Sequence, residues 1–194
     1  LILYNQKQQG LFSIANALGI PKSQFVDVAS RLGLASVDQP LSLDTQSDQL
    51  LADDAFQQMI IQHALPAREL LRRYLKEQGF FGNRSVALVD IGWNGTIQFS
   101  LREIFGEASD FPEVIGLYLS FNDGFKYDFG PDQIKGILYD GRRDSYRSNV
   151  FALFEELFEN SSRAFHGTTI GYRDVDGKMT PILRDEESPD RIAE

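Results

Sequence analysis

The chain has 194 residues, a formal net charge of −9 at pH 7, 42% hydrophobic residues and no cysteine. This length fits one domain with at most a small appendage. The acidic charge excludes nucleic acid as the main partner, because phosphate binding needs a basic surface, and the absence of cysteine excludes disulfides and thiol catalysis. No apolar run approaches the roughly 20 residues of a membrane-spanning helix. The first residue is not Met, and we expect the chain to be part of a longer protein.

Residues 1–80 are predicted to form a helical region. Apolar spacing and the positions of Gly and Pro predict four helices, over residues 7–18, 21–32, 48–63 and 67–78. Pro66 is expected to open the fourth helix, because proline is well tolerated in the first turn of a helix. These helices are expected to form a small bundle.

The pattern changes after residue 80. Val86–Val89 is an apolar run that ends on Asp90, a glycine-containing loop follows, and a helical pattern extends from Thr96 to Phe105. A second buried strand is predicted over Val114–Phe121. A strand, a helix and a strand in this order form a βαβ unit with parallel strands.

Ile134–Tyr139 is predicted to be a third strand, and Thr168–Leu183 a β-hairpin that turns at Asp176-Gly177. We therefore predict an α/β fold, in which a Rossmann-like βαβ core has an N-terminal helical region and a C-terminal β-hairpin. The predicted division is a helical region over 1–80, an α/β domain with the ligand loop over 81–184, and a frayed tail over 185–194.

The loop after the first strand is the main candidate site. Ligands of open α/β sheets lie at the carboxyl ends of strands, and a helix N-terminus favours an anion. Gly92 and Gly95 allow a ligand to approach the backbone, and Asn94 and Thr96 add polar groups, so these residues are predicted to bind phosphate. Asp90 is predicted to be a catalytic acid or a metal ligand, and the metal would be Mg²⁺. The alternative is a turn that needs its glycines only for geometry.

Four further residues are candidates for the site: Trp93, Arg142, Arg143 and His166. Trp93 could stack on a sugar ring, or could pack as a plug in the interior. The two arginines could clamp a phosphate, or could form ordinary surface ion pairs. His166 lies in a predicted polar loop and is a candidate catalytic residue.

The string VALVDIGWNGTIQ, preceded by LRRYLKEQG, resembles a segment of predicted haloacid dehalogenase-like (HAD-like) hydrolases from bacterial surface-polysaccharide gene clusters. The later stretch ELFENSSRAFHGTTIGYRDVDGKMTPIL is similar to another region of these proteins. The resemblance covers residues 69–183 and implies the C-terminal accessory region that follows their phosphatase-like domain. The phosphatase motifs themselves, an Asp-x-Asp pair and a later Lys with an acid pair, are not recognisable in this chain.

The resemblance implies a role in polysaccharide biosynthesis in the bacterial cytoplasm. With the loop, it predicts a domain that binds a phosphorylated sugar or a nucleotide-sugar within a hydrolase or transferase, with other domains of the parent chain as further partners. Whether the chain itself catalyses phosphoryl or glycosyl transfer stays open. The main alternative is a non-catalytic docking or scaffold domain, with an exposed apolar patch near Phe125, Tyr127 and Phe129. An actin-like ATPase is a weaker alternative, because a helix rather than a hairpin is predicted after the loop.

Overall fold

The computed structural model describes residues 10–42, 45–122, 127, 133–143, 155–162 and 164–184. The chain divides into two compact units, residues 1–69 and residues 70–194. The predicted tail over 185–194 lies outside the described residues, as do Phe125 and Phe129 of the predicted apolar patch. No helix in the described part of the chain is long and apolar enough to cross a membrane.

The first unit is helical. Its elements are α1 (Leu11–Leu18), a 3₁₀ helix (Lys22–Phe25), α2 (Val26–Arg31), α3 (Gln46–Ala52) and the first part of α4 (Asp54–Glu77). Buried apolar side chains from all of these elements form one core, among them Leu11, Phe25, Val28, Leu50 and Phe56.

An ion pair fixes the start of α4. The Arg31 guanidinium donates to both carboxylate oxygens of Asp53, at 2.6 and 2.9 Å, and Asp53 also accepts a hydrogen bond from the Phe56 backbone N–H. The Arg31 hydrogen bond is the main reason that the pKa of Asp53 is lowered. A side-chain oxygen on an N-terminal backbone N–H is the usual cap of a helix.

The predicted helix break at Pro66 is wrong, because Pro66 lies inside α4. Proline removes one backbone hydrogen bond and crowds the preceding turn. Burial of apolar side chains stabilises the helix on both sides of this position. Met59 and Ile60 pack on the core of the first unit, and Leu71 and Leu75 pack on a core of the second unit. Tertiary packing contributes more to helix stability than local propensity does.

The second unit contains a three-stranded parallel sheet. It consists of β1 (Ser85–Asp90), β2 (Glu113–Phe121) and β3 (Ile134–Asp140), in the order β1-β2-β3, and α5 (Thr96–Phe105) connects β1 to β2. The short helix α6 (Glu155–Ser161) follows. The predicted α/β class is confirmed as a mixed fold of this sheet and a separate two-stranded antiparallel hairpin.

The hairpin consists of β4 (Thr169–Val175) and β5 (Lys178–Leu183). Its turn residues Asp176 and Gly177 both have positive φ, 53° and 83°, which a two-residue hairpin turn of this kind requires. The hairpin packs on the end of α4, where Tyr172 stacks on Tyr74 with 4.4 Å between ring centroids.

A buried glutamine joins α5 to the sheet. Gln98 donates to the carbonyl oxygens of Val114 and Gln133, at 3.0 and 3.1 Å, and accepts a hydrogen bond from the Tyr118 hydroxyl at 3.1 Å. Gly116 lies beneath it, and a Cβ at that position would lie 2.1 Å from the Gln98 side-chain oxygen. The glycine is therefore needed for the close approach of α5 to β2.

Candidate functional site

The carboxyl ends of the three parallel strands lie along one edge of the sheet, here called the carboxyl edge. Asn122, after β2, donates its backbone N–H to the carbonyl oxygen of Trp93, in the loop after β1, at 2.7 Å. Gly141, after β3, donates to the carbonyl oxygen of Phe121 at 2.8 Å. The segments that follow the three strands are therefore neighbours, and they include most of the predicted site residues.

Asp90 ends β1 with one carboxylate oxygen engaged. Its Oδ1 accepts a hydrogen bond from the Gly92 backbone N–H at 2.9 Å, and no described residue donates to its Oδ2. A Cβ at Gly92 would lie 2.8 Å from Oδ2, so glycine leaves room for this turn. Burial, and secondarily the charge of Asp90, raise the pKa of the neighbouring Tyr118 hydroxyl. The phenol therefore stays neutral.

The start of α5 has no side-chain cap. Gly95 precedes the helix with φ of 69°, in the left-handed region that favours glycine, and no side chain accepts a hydrogen bond from the first backbone N–H groups. Thr96 and Asn94 are exposed beside it. Asp90 therefore does not serve as the helix cap, and the positive end of the α5 dipole is open to an anion.

Ser120 is a polar residue that sequence reasoning did not select. It follows Tyr118 by two residues, so both point to the α5 side of the sheet, and Asp90 pairs with Tyr118, which puts Ser120 beside the loop after β1. Ser120 is 1% exposed, and its hydroxyl has no hydrogen-bond partner in the described part of the chain. Such a group is costly to bury unpaired. The sequence signal that could have selected Ser120 is a serine at an inward-facing position of a predicted buried strand.

Trp93 is buried, with 8% of its surface exposed. Its indole N–H donates to a carboxylate oxygen of Glu159 on α6, at 3.1 Å. Of the two interpretations, this arrangement favours the interior plug over a ring exposed for stacking on a sugar. The contact brings α6 to the carboxyl edge.

Arg142 lies at the carboxyl edge but is engaged with Asp140. Its guanidinium donates to both carboxylate oxygens, at 2.9 and 2.7 Å, and also to the Ile134 carbonyl oxygen, and it lies 5.3 Å from the centroid of the Phe121 ring. The Arg142 hydrogen bond is the main reason that the pKa of the nearly buried Asp140 is lowered. This geometry favours a structural ion pair. Arg143 is exposed next to it.

His166 is exposed in the segment before the hairpin. Its Nδ1 lies 3.0 Å from the carbonyl oxygen of Gly167, and no described contact links it to Asp90 or to the α5 start. The structure therefore places Asp90, the loop glycines and Thr96 in one segment of the carboxyl edge and Arg142 after β3, further along the same edge. No described contact links His166 to any of them.

Beside the loop, a cavity of about 470 Å³ lies along the flank of α5. Leu71 and Leu75 of α4, Val86 and Leu88 of β1, and Tyr172 of β4 form its other sides. Thr96 lines it as well, so the cavity begins at the predicted phosphate-binding end of α5. Sequence reasoning missed this cavity, which depends on the tertiary placement of α4 and the hairpin.

Among the described residues, no group of three or more His, Asp or Glu side chains could hold a metal ion. No protein-family model matches the chain, and no curated protein matches it significantly.

Proposed function

We propose that the second unit binds a phosphorylated sugar or a nucleotide-sugar at the carboxyl edge of its sheet. In this proposal the sheet is a Rossmann-like core. The observation that carries the proposal is the uncapped N-terminus of α5 at the carboxyl edge, together with Ser120 next to the preceding loop, whose buried hydroxyl has no partner in the described residues. A phosphate oxygen would accept hydrogen bonds from the free N–H groups at the helix start.

Asp90 has a second role in the proposal, as the ligand of a Mg²⁺ ion that accompanies the phosphate. Mg²⁺ is commonly held by one or two carboxylates and by the phosphates of its substrate, and it keeps several waters. A single carboxylate with an unengaged oxygen fits this pattern. The ion would neutralise phosphate charge and hold its oxygens in place.

The resemblance to the HAD-like proteins supports the setting of the proposal. We propose that the chain is an accessory region of a cytoplasmic hydrolase or transferase of bacterial polysaccharide biosynthesis. Asp90, at the end of β1, would be the acid or metal ligand for the bound phosphate. The catalytic role of His166 stays a prediction, and this proposal does not use it, because no described contact links it to this loop.

A thermal-shift assay with sugar phosphates and nucleotide-sugars, each with and without Mg²⁺, tests the proposal. A ligand at 100 times its Kd adds about 2.7 kcal/mol to the free energy of unfolding. For a chain of 194 residues, that raises Tm by about 5 to 10 °C.

Two conservative variants make the assay specific. Thr96→Val keeps the side-chain shape and removes a hydroxyl, and Asp90→Asn keeps an oxygen for the Gly92 N–H and removes the charge. Both are expected to reduce the shift given by a sugar phosphate with Mg²⁺. Thr169→Val, on the exposed start of β4, is the matched control and is expected to keep it. An equal shift in all four proteins would exclude the loop as the binding site.

A second candidate function is a docking domain, and the sheet face opposite α5 favours it. Val89 on this face is 76% exposed, and by register it neighbours the partly exposed Leu117. Parallel sheets are normally covered on both faces. This candidate predicts that Val89→Lys leaves ligand binding intact and abolishes binding to a partner domain. The measurement is co-purification of this chain with other domains of the parent protein that are expressed separately.

A further inference from the structure

We propose that the phosphate ligand carries an apolar chain, which occupies the cavity along α5. This inference rests on the proposed phosphate site and specifies its substrate class. The two features share one residue, because Thr96 is the first residue of α5 and also lines the cavity. A ligand bound through its phosphate at the helix start would therefore enter the cavity directly.

The composition of the cavity wall determines the chemistry of the buried part. No charged side chain lines the cavity in the described part of the chain, and the polar side chains there are Thr96, Ser100 and Tyr172. A sugar or a nucleobase would bury several polar groups without enough partners, at a cost of a few kcal/mol for each unpaired group. An alkyl or isoprenoid chain has no such groups. Ile97 and Ile104, which are 56% and 37% exposed, gain burial when such a chain binds.

The dimensions of the cavity set the length of the chain. The lining positions on α5 extend from Thr96 to Ile104, which is about 12 Å along a helix at 1.5 Å per residue. An extended chain advances about 1.2 Å per bond, so about ten bonds cover this distance. The volume of about 470 Å³ lies within the range of small-molecule sites. The predicted ligand class is therefore a sugar phosphate esterified with a long-chain alcohol, whose chain occupies the cavity while its sugar lies outside it.

The test measures Kd by calorimetry in the presence of Mg²⁺ for ethyl, hexyl and decyl phosphate, with uridine monophosphate, inorganic phosphate and decanol as comparisons. Each buried methylene is expected to lower Kd about fourfold until the cavity is full. Decyl phosphate is then expected to bind more tightly than hexyl phosphate, uridine monophosphate or decanol.

Ser100→Leu fills part of the cavity, and its expected effect is to bring the ratio of the decyl to the ethyl phosphate Kd towards one. Glu103→Leu adds the same side chain at an exposed position of α5 outside the cavity, and it is expected to keep the wild-type ratio.

The possible failures are distinct. If all the phosphates bind with the same Kd, whatever their chain length, the inference of an apolar chain is overturned and the phosphate site is retained. Tighter binding of uridine monophosphate than of decyl phosphate would have the same meaning. Equal Kd values for decanol and decyl phosphate would show that the cavity acts without the phosphate site, which overturns this inference. The absence of binding by every phosphate in the series, together with the absence of a thermal shift with every sugar phosphate and nucleotide-sugar, would overturn the proposed function itself.

Discussion

Replacement of the buried Gln98 tests how α5 is held over the sheet. Gln98→Met keeps an unbranched chain of similar length and removes the amide. The variant loses hydrogen bonds to the Val114 and Gln133 carbonyl oxygens and leaves the Tyr118 hydroxyl, which is 0% exposed, without an acceptor. At about 0.5 to 1.5 kcal/mol for each lost bond, with an added penalty for the unpaired hydroxyl, we expect a loss of about 2 to 4 kcal/mol.

A double-mutant cycle separates the hydroxyl from the other bonds. Tyr118→Phe removes the hydroxyl, so the double variant with Gln98→Met no longer contains an unpaired phenol. We expect the double variant to be about 1 to 2 kcal/mol more stable than the sum of the single effects predicts. Additivity within about 0.5 kcal/mol would refute the reasoning, because it would mean that the two side chains do not interact.

Urea unfolding followed by the fluorescence of Trp93 is the assay. Trp93 is the one tryptophan of the chain and lies in the second unit, so its signal reports the unit that contains Gln98. The midpoint is expected to fall while the slope m stays constant. Glu103→Met, at an exposed position of α5, is the control and is expected to change the midpoint little.

Two further predictions concern the same unit. The pKa of Asp140 in the folded protein is lowered mainly by the hydrogen bond from Arg142. The stability that this pair contributes is therefore fully present above the unfolded pKa of about 3.9, and it is lost as the pH falls through the lower pKa of the folded protein. Asp140→Asn should therefore flatten the fall of the urea midpoint between pH 5 and pH 3, and an unchanged pH dependence would contradict this. Gly116→Ala should cost about 1 to 3 kcal/mol by overpacking against Gln98. Gly171→Ala, whose Cβ would have no atom nearer than 3.8 Å, should cost little by the same measurement.

The parallel sheet and the hairpin could be predicted because their signals are local. The apolar runs that end on Asp90 and Phe121, with one amphipathic helix between them, leave few possible topologies. The Asp176-Gly177 turn is a two-residue signal that needs no tertiary information. The helix break predicted at Pro66 is wrong because burial on both sides of the proline, which is not visible in the sequence, outweighs its local effect.

The site was less predictable than the fold, because contacts between distant residues determine the state of each side chain. The sequence places Arg142 and Trp93 near the carboxyl edge, but only the structure pairs them with Asp140 and Glu159. Conversely, Ser120 has no motif around it. Ser120 becomes a candidate site residue only through the register of β2 and the absence of a described partner for its hydroxyl.

The charge balance at the start of α5 predicts that phosphate binding depends on a cation. A helix N-terminus acts as about half a positive charge, whereas Asp90 beside it carries a full negative charge. At about 5 Å and an effective dielectric constant of about 20, each unit of phosphate charge is repelled by about 3 kcal/mol. Solvent lowers this repulsion, because the Asp90 carboxylate is partly exposed. Mg²⁺ bound to Asp90 would reverse the sign of this interaction.

Asp90→Asn should therefore bind a sugar phosphate equally with Mg²⁺ and with EDTA, and about tenfold more tightly in EDTA than the wild-type protein does. The wild-type protein should bind well only with Mg²⁺. Calorimetric Kd values for the two proteins under both conditions check this prediction. If the wild-type protein binds as tightly in EDTA as with Mg²⁺, Asp90 is not a metal ligand. If Asp90→Asn also binds no more tightly in EDTA than the wild-type protein does, the carboxylate lies too far from the phosphate to act on it.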